Sequence, residues 1–242
     1  MTFKYVKNYI NQVTIKRILG KIPGVYIKIQ KIRYRQKRFK KNIVTNKTDI
    51  VIEGYPRSAN SFSVKAFKFA NGDDYKIATH LHAFQQVIVG VKKKIPTIVL
   101  IREPFECIVS YAAFRAQKYG DGAFIDYNMK WLLQDYVTFY KKLLPYKNKV
   151  IIGVFKDVLN DYGIIINKVN QKYNTNFTTF NHTEENVALV FNSAKVHLSP
   201  SKERDIEKQK YLQQMTKLKS SRLFLDAEEL YIEWNKTANK IK

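Results

Sequence analysis

Asp49-Ile50-Val51-Ile52-Glu53-Gly54-Tyr55-Pro56-Arg57-Ser58-Ala59-Asn60-Ser61-Phe62 is the stretch whose reading decides the fold. Its first five residues form a short run centred on Ile50, Val51 and Ile52, which at this length reads as a strand, and Gly54-Tyr55-Pro56 ends it. From Ser61 to Asn71 the apolar residues Phe62, Ala66, Phe67 and Ala70 recur at helical spacing, and Asn71-Gly72 closes the run. The unit is strand, loop, helix.

The same rhythm continues outward. Tyr75 to Thr79 predicts a second short strand, Ala83 to Val91 a helix, and Pro96 to Ile101 a third strand, apolar throughout like strands buried on both faces of a parallel sheet. Pro104 stands where a first-turn proline belongs, and Phe105, Ile108, Val109, Ala112 and Ala113 carry a buried helix to Gly120. A long helix over 123 to 144 holds Trp131, Leu132, Tyr136 and Phe139, and Val150 to Phe155 predicts a fourth strand. Beyond Asp157 the pattern is helical, over 161–173, 201–219 and 226–242. Such alternation predicts an α/β three-layer sandwich with a central parallel sheet and a helical C-terminal part. Ligands bind such sheets at the carboxyl ends of the strands, so the chemistry is sought directly after each one.

After the first strand, the turn into a helix leaves backbone N–H groups for an anion, and Arg57, Ser58, Asn60 and Ser61 add donors around them. A phosphate or sulfate fits. The loop lacks the Gly-Lys-Ser/Thr ending of a Walker A motif, so the lysine and the Mg²⁺-binding hydroxyl that ATP chemistry needs are missing. After the second strand comes Thr79-His80-Leu81-His82, and after the third Arg102-Glu103-Pro104, with Ser110-Tyr111 eight residues on.

Composition narrows the class. With 242 residues, 45% apolar and 14% aromatic, the chain has material for one globular domain. No apolar run reaches the ~20 residues of a membrane span, and the N-terminus lacks a secretory pattern, so cytoplasmic residence is expected. The single cysteine, Cys107, allows no internal disulfide and no Cys-rich metal site, and its place on an apolar helix face makes it core; no metal is expected. The net charge is +23, and residues 1–48 hold 14 Lys or Arg with no acidic residue, which leaves 29 basic against 20 acidic residues afterwards. We therefore divide the chain into a basic arm, 1–48, and a globular domain, 49–242. Within the arm, Lys31 to Lys41 reads as a strip for an anionic surface or polyanion, or as a solvated basic arm. Val13, Ile15, Ile18, Leu19 and Ile22 mix with Lys16, Arg17 and Lys21 as in an amphipathic helix broken at Pro23-Gly24, which either rests on a membrane or packs on the core.

The three post-strand segments together resemble the sulfotransferases that use 3′-phosphoadenosine 5′-phosphosulfate (PAPS). In that family a Tyr-Pro-Lys/Arg-Ser-Gly-Thr/Asn-Thr/Ser loop grips the 5′-phosphosulfate, and Tyr55 to Phe62 is similar to it. An Arg at the end of the third strand and a Ser eight residues later hold the 3′-phosphate, which matches Arg102 and Ser110. A Lys-Thr-His after the second strand carries the catalytic base in cytosolic members, and Ala78-Thr79-His80 is similar. Phe155-Lys156-Asp157-Val158 resembles the Tyr-Glu-Asp-Leu that follows their fourth strand. The resemblance spans about residues 49–175 and implies a P-loop-NTPase-like sheet, cofactor contacts from Arg57, Ser58, Ala59, Asn60, Ser61, Phe62, Arg102 and Ser110, and catalysis by His80 and Arg57. Phe62 takes the place of an adenine-stacking aromatic or of a core residue.

The sequence also departs from the family. Ala59 replaces the usual Gly, Lys156 replaces Glu, and the C-terminal Arg-Lys-Gly-x-x-Gly is missing. Ser199 to Arg204 stands in its place, with Lys202 or Arg204 to reach a phosphate. The implied reaction is in-line transfer of a sulfuryl group from PAPS to a hydroxyl or amine, leaving 3′-phosphoadenosine 5′-phosphate (PAP), with His80 as general base and His82 as the alternative. A small molecule, lipid or glycan serves as acceptor, an anionic membrane or polyanion meets the arm, and no specific nucleic acid is expected. The competing readings are a basic nucleic-acid- or polyanion-binding protein and a P-loop-like nucleotide kinase. His182 and His197 have no partner legible in the sequence.

Overall fold

The computed structural model describes residues 22–34, 41–119, 125–193 and 202–240. The amphipathic pattern at 13–19, the strip at 35–40, His197, Ser199 to Ser201 and the side chains of Lys202 and Arg204 lie outside what is described.

Four parallel strands, β1 (Ile50–Gly54), β2 (Ile77–Thr79), β3 (Thr97–Ile101) and β4 (Ile151–Val154), form one sheet in the order β2-β1-β3-β4. Every residue of all four strands is buried. Side chains alternate between the two faces, as the period of two requires. Ile50, Ile52, Ile98, Leu100 and Ile151 face one apolar layer, whereas Val99, Ile101, Ile152 and Val154 face the other. The α/β architecture with a central parallel sheet is thus the one the sequence predicts.

The first layer contains α2 (Asn60–Asn71), α7 (Tyr162–Tyr173) and α8 (Glu184–Asn192), joined by the aromatic cluster of Phe62, Phe67, Tyr162, Phe177 and Phe180. The second contains α3 (Phe84–Lys92), α4 (Pro104–Tyr119), α5 (Ile125–Leu143), α9 (Lys202–Leu218) and α10 (Arg222–Lys240). Phe155 belongs to a short helix, α6 (Phe155–Asn160), and not to β4. Helix α8 is unexpected from sequence; its N-cap Thr183 accepts the Asn186 N–H at 3.2 Å. At the end of β1, Gly54 lies against β3 so closely that a Cβ would meet the Leu100 carbonyl oxygen at 2.5 Å, and this contact requires glycine.

Pro23 opens a helix instead of breaking one. It takes the first turn of α1 (Pro23–Arg33), where its missing N–H costs nothing. The inner face of α1 buries Tyr26 and Ile27 with Ile43, Val44, Val51, Ala78, Ala83 and Ile95. The change of charge at residue 48 is therefore not a packing boundary: part of the basic segment packs on α3 and on Val51 and Ala78 of β1 and β2. Among the described residues no helix is long and apolar enough to cross a membrane.

Candidate functional site

The loop after β1 turns through two residues in the left-handed region, Arg57 at φ 70° and Ala59 at φ 68°. Ala59 is the N-cap of α2 and contributes no side-chain cap, although the first-turn N–H groups of a helix lack intrahelical acceptors. An anion supplies what such a terminus lacks. Helix α5 fastens the loop from below. The buried Tyr55 hydroxyl donates to the Leu132 carbonyl at 2.7 Å, and the Tyr55 N–H donates to the Tyr140 hydroxyl at 3.3 Å. Tyr140 in turn donates to the Leu100 carbonyl at 2.7 Å, so one phenol ties the β1 loop to β3. The Asn60 amide donates to the Tyr55 carbonyl at 3.0 Å. Its Oδ1 is buried with no hydrogen-bond partner among the described residues.

The loop after β3 meets the first one directly. Arg57 Nε donates to the Ser110 hydroxyl at 3.1 Å, and Arg102 Nη1 donates to the Arg57 carbonyl at 3.3 Å. The Arg102 guanidinium lies 4.1 Å from the centre of the Phe155 ring and pairs with Glu106 at 3.3 Å. Tyr136 of α5 donates to the Arg102 carbonyl at 2.8 Å, doing for this loop what Tyr140 does for the first.

The loop after β2 completes the convergence. His80 and His82 both adopt left-handed backbone, at φ 56° and 47°, and their rings lie 5.8 Å apart. The His80 ring is held between two hydroxyls, Nδ1 at 2.9 Å from Thr79 Oγ1 and Nε2 at 3.0 Å from Ser61 Oγ. Burial pushes its pKa down to about 4, so the ring is neutral at physiological pH. His82 Nδ1 lies 2.8 Å from the Gly54 carbonyl, and because a carbonyl only accepts, that nitrogen carries the proton.

A carboxylate that the sequence reading passes over holds this third loop. Glu53, fully buried at the end of β1, accepts the Leu81 N–H and the Gln86 side-chain amide, both at 2.8 Å on Oε1. Its Oε2 accepts the Gly54 N–H at 3.3 Å and lies 3.8 Å from His82 Nδ1. Burial pushes the pKa of Glu53 up to about 7, against the opposing pull of these hydrogen bonds. Gln86 extends the network by accepting the Val44 N–H at 2.9 Å. The signal available in sequence is a single acidic residue within an otherwise apolar strand.

Not every expected residue reaches the convergence. Ser58 is fully buried, its hydroxyl 3.5 Å from the Tyr140 hydroxyl and 3.7 Å from Cys107 Sγ, so its side chain serves the loop rather than an open face. Phe62, proposed for adenine, is corrected to core: only 1% exposed, it packs on Tyr162, Phe180, His182 and Phe191 and has no ring face open to a base. His182 is structural, its Nδ1 accepting the Tyr162 N–H at 3.0 Å. Cys107 is core as expected, donating to the Pro56 carbonyl at 3.2 Å, with its thiol pushed up to about 12 by burial. The half-buried Arg57, Ser61, His80 and Arg102 remain as the polar face, and Ser110, itself 2% exposed, meets it through the hydrogen bond it accepts from Arg57.

No protein-family model and no curated protein matches the chain. Among solved structures, the mouse sulfotransferase SULT7A1 complexed with PAP is similar at 11% identity and a TM-score of 0.48, over 83% of this chain and 91% of that one.

Proposed function

We propose that the chain transfers a sulfuryl group from PAPS to a hydroxyl or amine of a small-molecule, lipid or glycan acceptor. The observation that carries this reading is the junction of Arg57 with Ser110 and Arg102, at 3.1 and 3.3 Å. Two loops suited to two anions, far apart in sequence, share hydrogen bonds at the ends of neighbouring strands. That pairing suits one ligand with two phosphate-like groups better than two separate anions. The donor set fits such a ligand: two guanidiniums, the uncapped N-terminus of α2 and the Ser61 hydroxyl. The Walker lysine is absent, which disfavours a nucleotide kinase.

PAPS supplies an activated sulfuryl group joined through oxygen to a phosphate that leaves with the electron pair. In this reading the backbone of Ala59 and the N–H groups of α2, with Arg57, hold the 5′ end, and Arg57 offsets the negative charge that grows on the leaving oxygen. Arg102 and Ser110 hold the 3′-phosphate and fix the nucleotide in register. His80 takes the proton that the acceptor hydroxyl or amine loses as its bond to sulfur forms. This role needs the tautomer in which Nδ1–H donates to Thr79, and it needs the single Ser61 proton to turn from Nε2 to the ligand, which frees the Nε2 lone pair. Glu53, by holding the Leu81 N–H, keeps the left-handed turn that carries the base.

The test is a comparison of ligands. At equal concentration PAP raises the melting temperature well above the shift given by AMP, which lacks the 3′-phosphate, and Arg102→Ala removes most of the difference. Equal stabilisation by PAP and AMP counts against the reading.

A further inference from the structure

Helix α1 presents two apolar faces. The inner one is buried on the domain, as described above. On the outer one Ile29 and Ile32 are 36% and 74% exposed, Val25 is 40% exposed, and Ile22, just before the helix, is 58% exposed. At 3.6 residues per turn Val25, Ile29 and Ile32 fall within an arc of about 60° on the side away from Ile27 and Gln30, and Ile22 is the N-cap residue before them. Elsewhere among the described residues exposed large apolar side chains occur one or two to a helix, as at Phe69, Ile164 and Ile206. Single exposures of that kind are ordinary, whereas three on one arc with a fourth just before them make a patch. Lys28 and Arg33 are exposed on either side of it.

We propose that this face of α1 docks on an anionic lipid surface, with Ile22, Val25, Ile29 and Ile32 entering the headgroup boundary and the flanking cations meeting lipid phosphates and carboxylates. The charge pattern selects this occupant. Residues 1–48 carry 14 cations and no acidic residue, in a chain of net charge +23, so a second copy would bring like charge against like charge. A polyanion such as nucleic acid would satisfy the lysines but has no use for four exposed aliphatic side chains. An apolar arc with basic flanks suits the boundary between headgroups and acyl chains. The buried Tyr26 and Ile27 pack the helix onto the domain, so the exposed aliphatic side chains lie on its outer face.

The experiment is co-sedimentation of the full chain with vesicles of phosphatidylcholine containing roughly one quarter phosphatidylserine, and with phosphatidylcholine alone. The expected result is strong partitioning to the anionic vesicles that weakens with salt but is not abolished by it. Ile29→Glu combined with Ile32→Glu lowers partitioning at least about tenfold, and Lys28→Ala about fivefold. Because both isoleucines are exposed, the melting temperature is expected to stay near that of the unaltered chain. Ile32→Trp gives a second readout, with its fluorescence moving to the blue on adding anionic vesicles. The inference is overturned if the double variant partitions like the unaltered chain, since charge alone then suffices. It is equally overturned if the chain ignores vesicles but self-associates through these isoleucines, or if it does neither. None of these outcomes depends on sulfuryl transfer, so the proposed function and this surface stand or fall separately.

Discussion

Glu53 and His80 are displaced from their ordinary ionisation in opposite senses by the same burial, the first from 4.5 up to about 7 and the second from 6.5 down to about 4. Each displacement corresponds to on the order of 3 kcal/mol. A carboxyl raised in the folded state adds stability that is fully present below pH 4.5 and is lost as pH rises through about 7. An imidazole lowered in the folded state adds stability that is fully present above pH 6.5 and is lost as pH falls through about 4. Between about pH 4.5 and 6.5 the folded pair holds one proton on Glu53, and the unfolded pair holds one on His80, so the two slopes cancel. Glu53→Gln removes one side of this balance, and urea-unfolding stability should then climb by up to about 3 kcal/mol as pH rises from about 4 to 6.5. His80→Gln removes the other, and stability should fall by a similar amount from about pH 4.5 to 7. The absolute cost of each substitution is irrelevant, because only the slope is read. If both variants keep the slope of the unaltered chain, neither group is buried as the site requires, and the account of the third loop fails.

His80→Ala should leave PAP affinity nearly unchanged while lowering turnover of PAPS ~10²-fold or more, and His82→Ala should do much less; the reverse order makes His82 the base. Ala59 sits at φ 68°, where an L side chain costs about 1–2 kcal/mol, so Ala59→Gly should raise unfolding stability by about 1 kcal/mol after the added entropy of glycine; a loss of stability would show that the methyl group's packing outweighs the backbone cost. A chain beginning at Thr48 lacks Tyr26, Ile27, Ile43 and Val44, each buried and each worth ~1.5–3 kcal/mol. Against a total stability of ~5–15 kcal/mol that loss should leave the fragment unfolded or insoluble, and a cooperative thermal transition would refute this.

The fold was legible because its strands are short apolar runs separated by helical periodicities, and a strand buried on both faces needs no alternation to be recognised. Where the reading slipped, a residue had two uses. Pro23 looks like a breaker and acts as a helix opener, because a proline at the first turn gives up no hydrogen bond. Phe62 follows the phosphate-suited loop, yet the first turn of α2 faces the aromatic cluster, so its ring packs inward. The charge change near residue 48 marked composition alone; Ile43 and Val44 sit among basic residues and still reach the core. Arg57, His80, Arg102 and Ser110 were singled out by their places after strands and by the family resemblance, and the structure brings the loops that carry them together. Glu53 was not, because its partners Leu81 and Gln86 lie about thirty residues away and only the parallel pairing of β1 with β2 brings them near. Tyr136 was noted only as a residue of a long helix and Tyr140 not at all, yet their hydroxyls hold the loops that follow β3 and β1.

A crystal structure with PAP bound is the most direct test of the central claim. The account predicts the 5′-phosphate at the N-terminus of α2 beside Arg57 and Ser61, and the 3′-phosphate on Arg102 and Ser110. The Glu106 carboxylate, now 3.3 Å from Arg102, is expected to swing away as the phosphate takes its place. PAP bound elsewhere on the molecule, or bound with its 3′-phosphate away from Arg102, would contradict it.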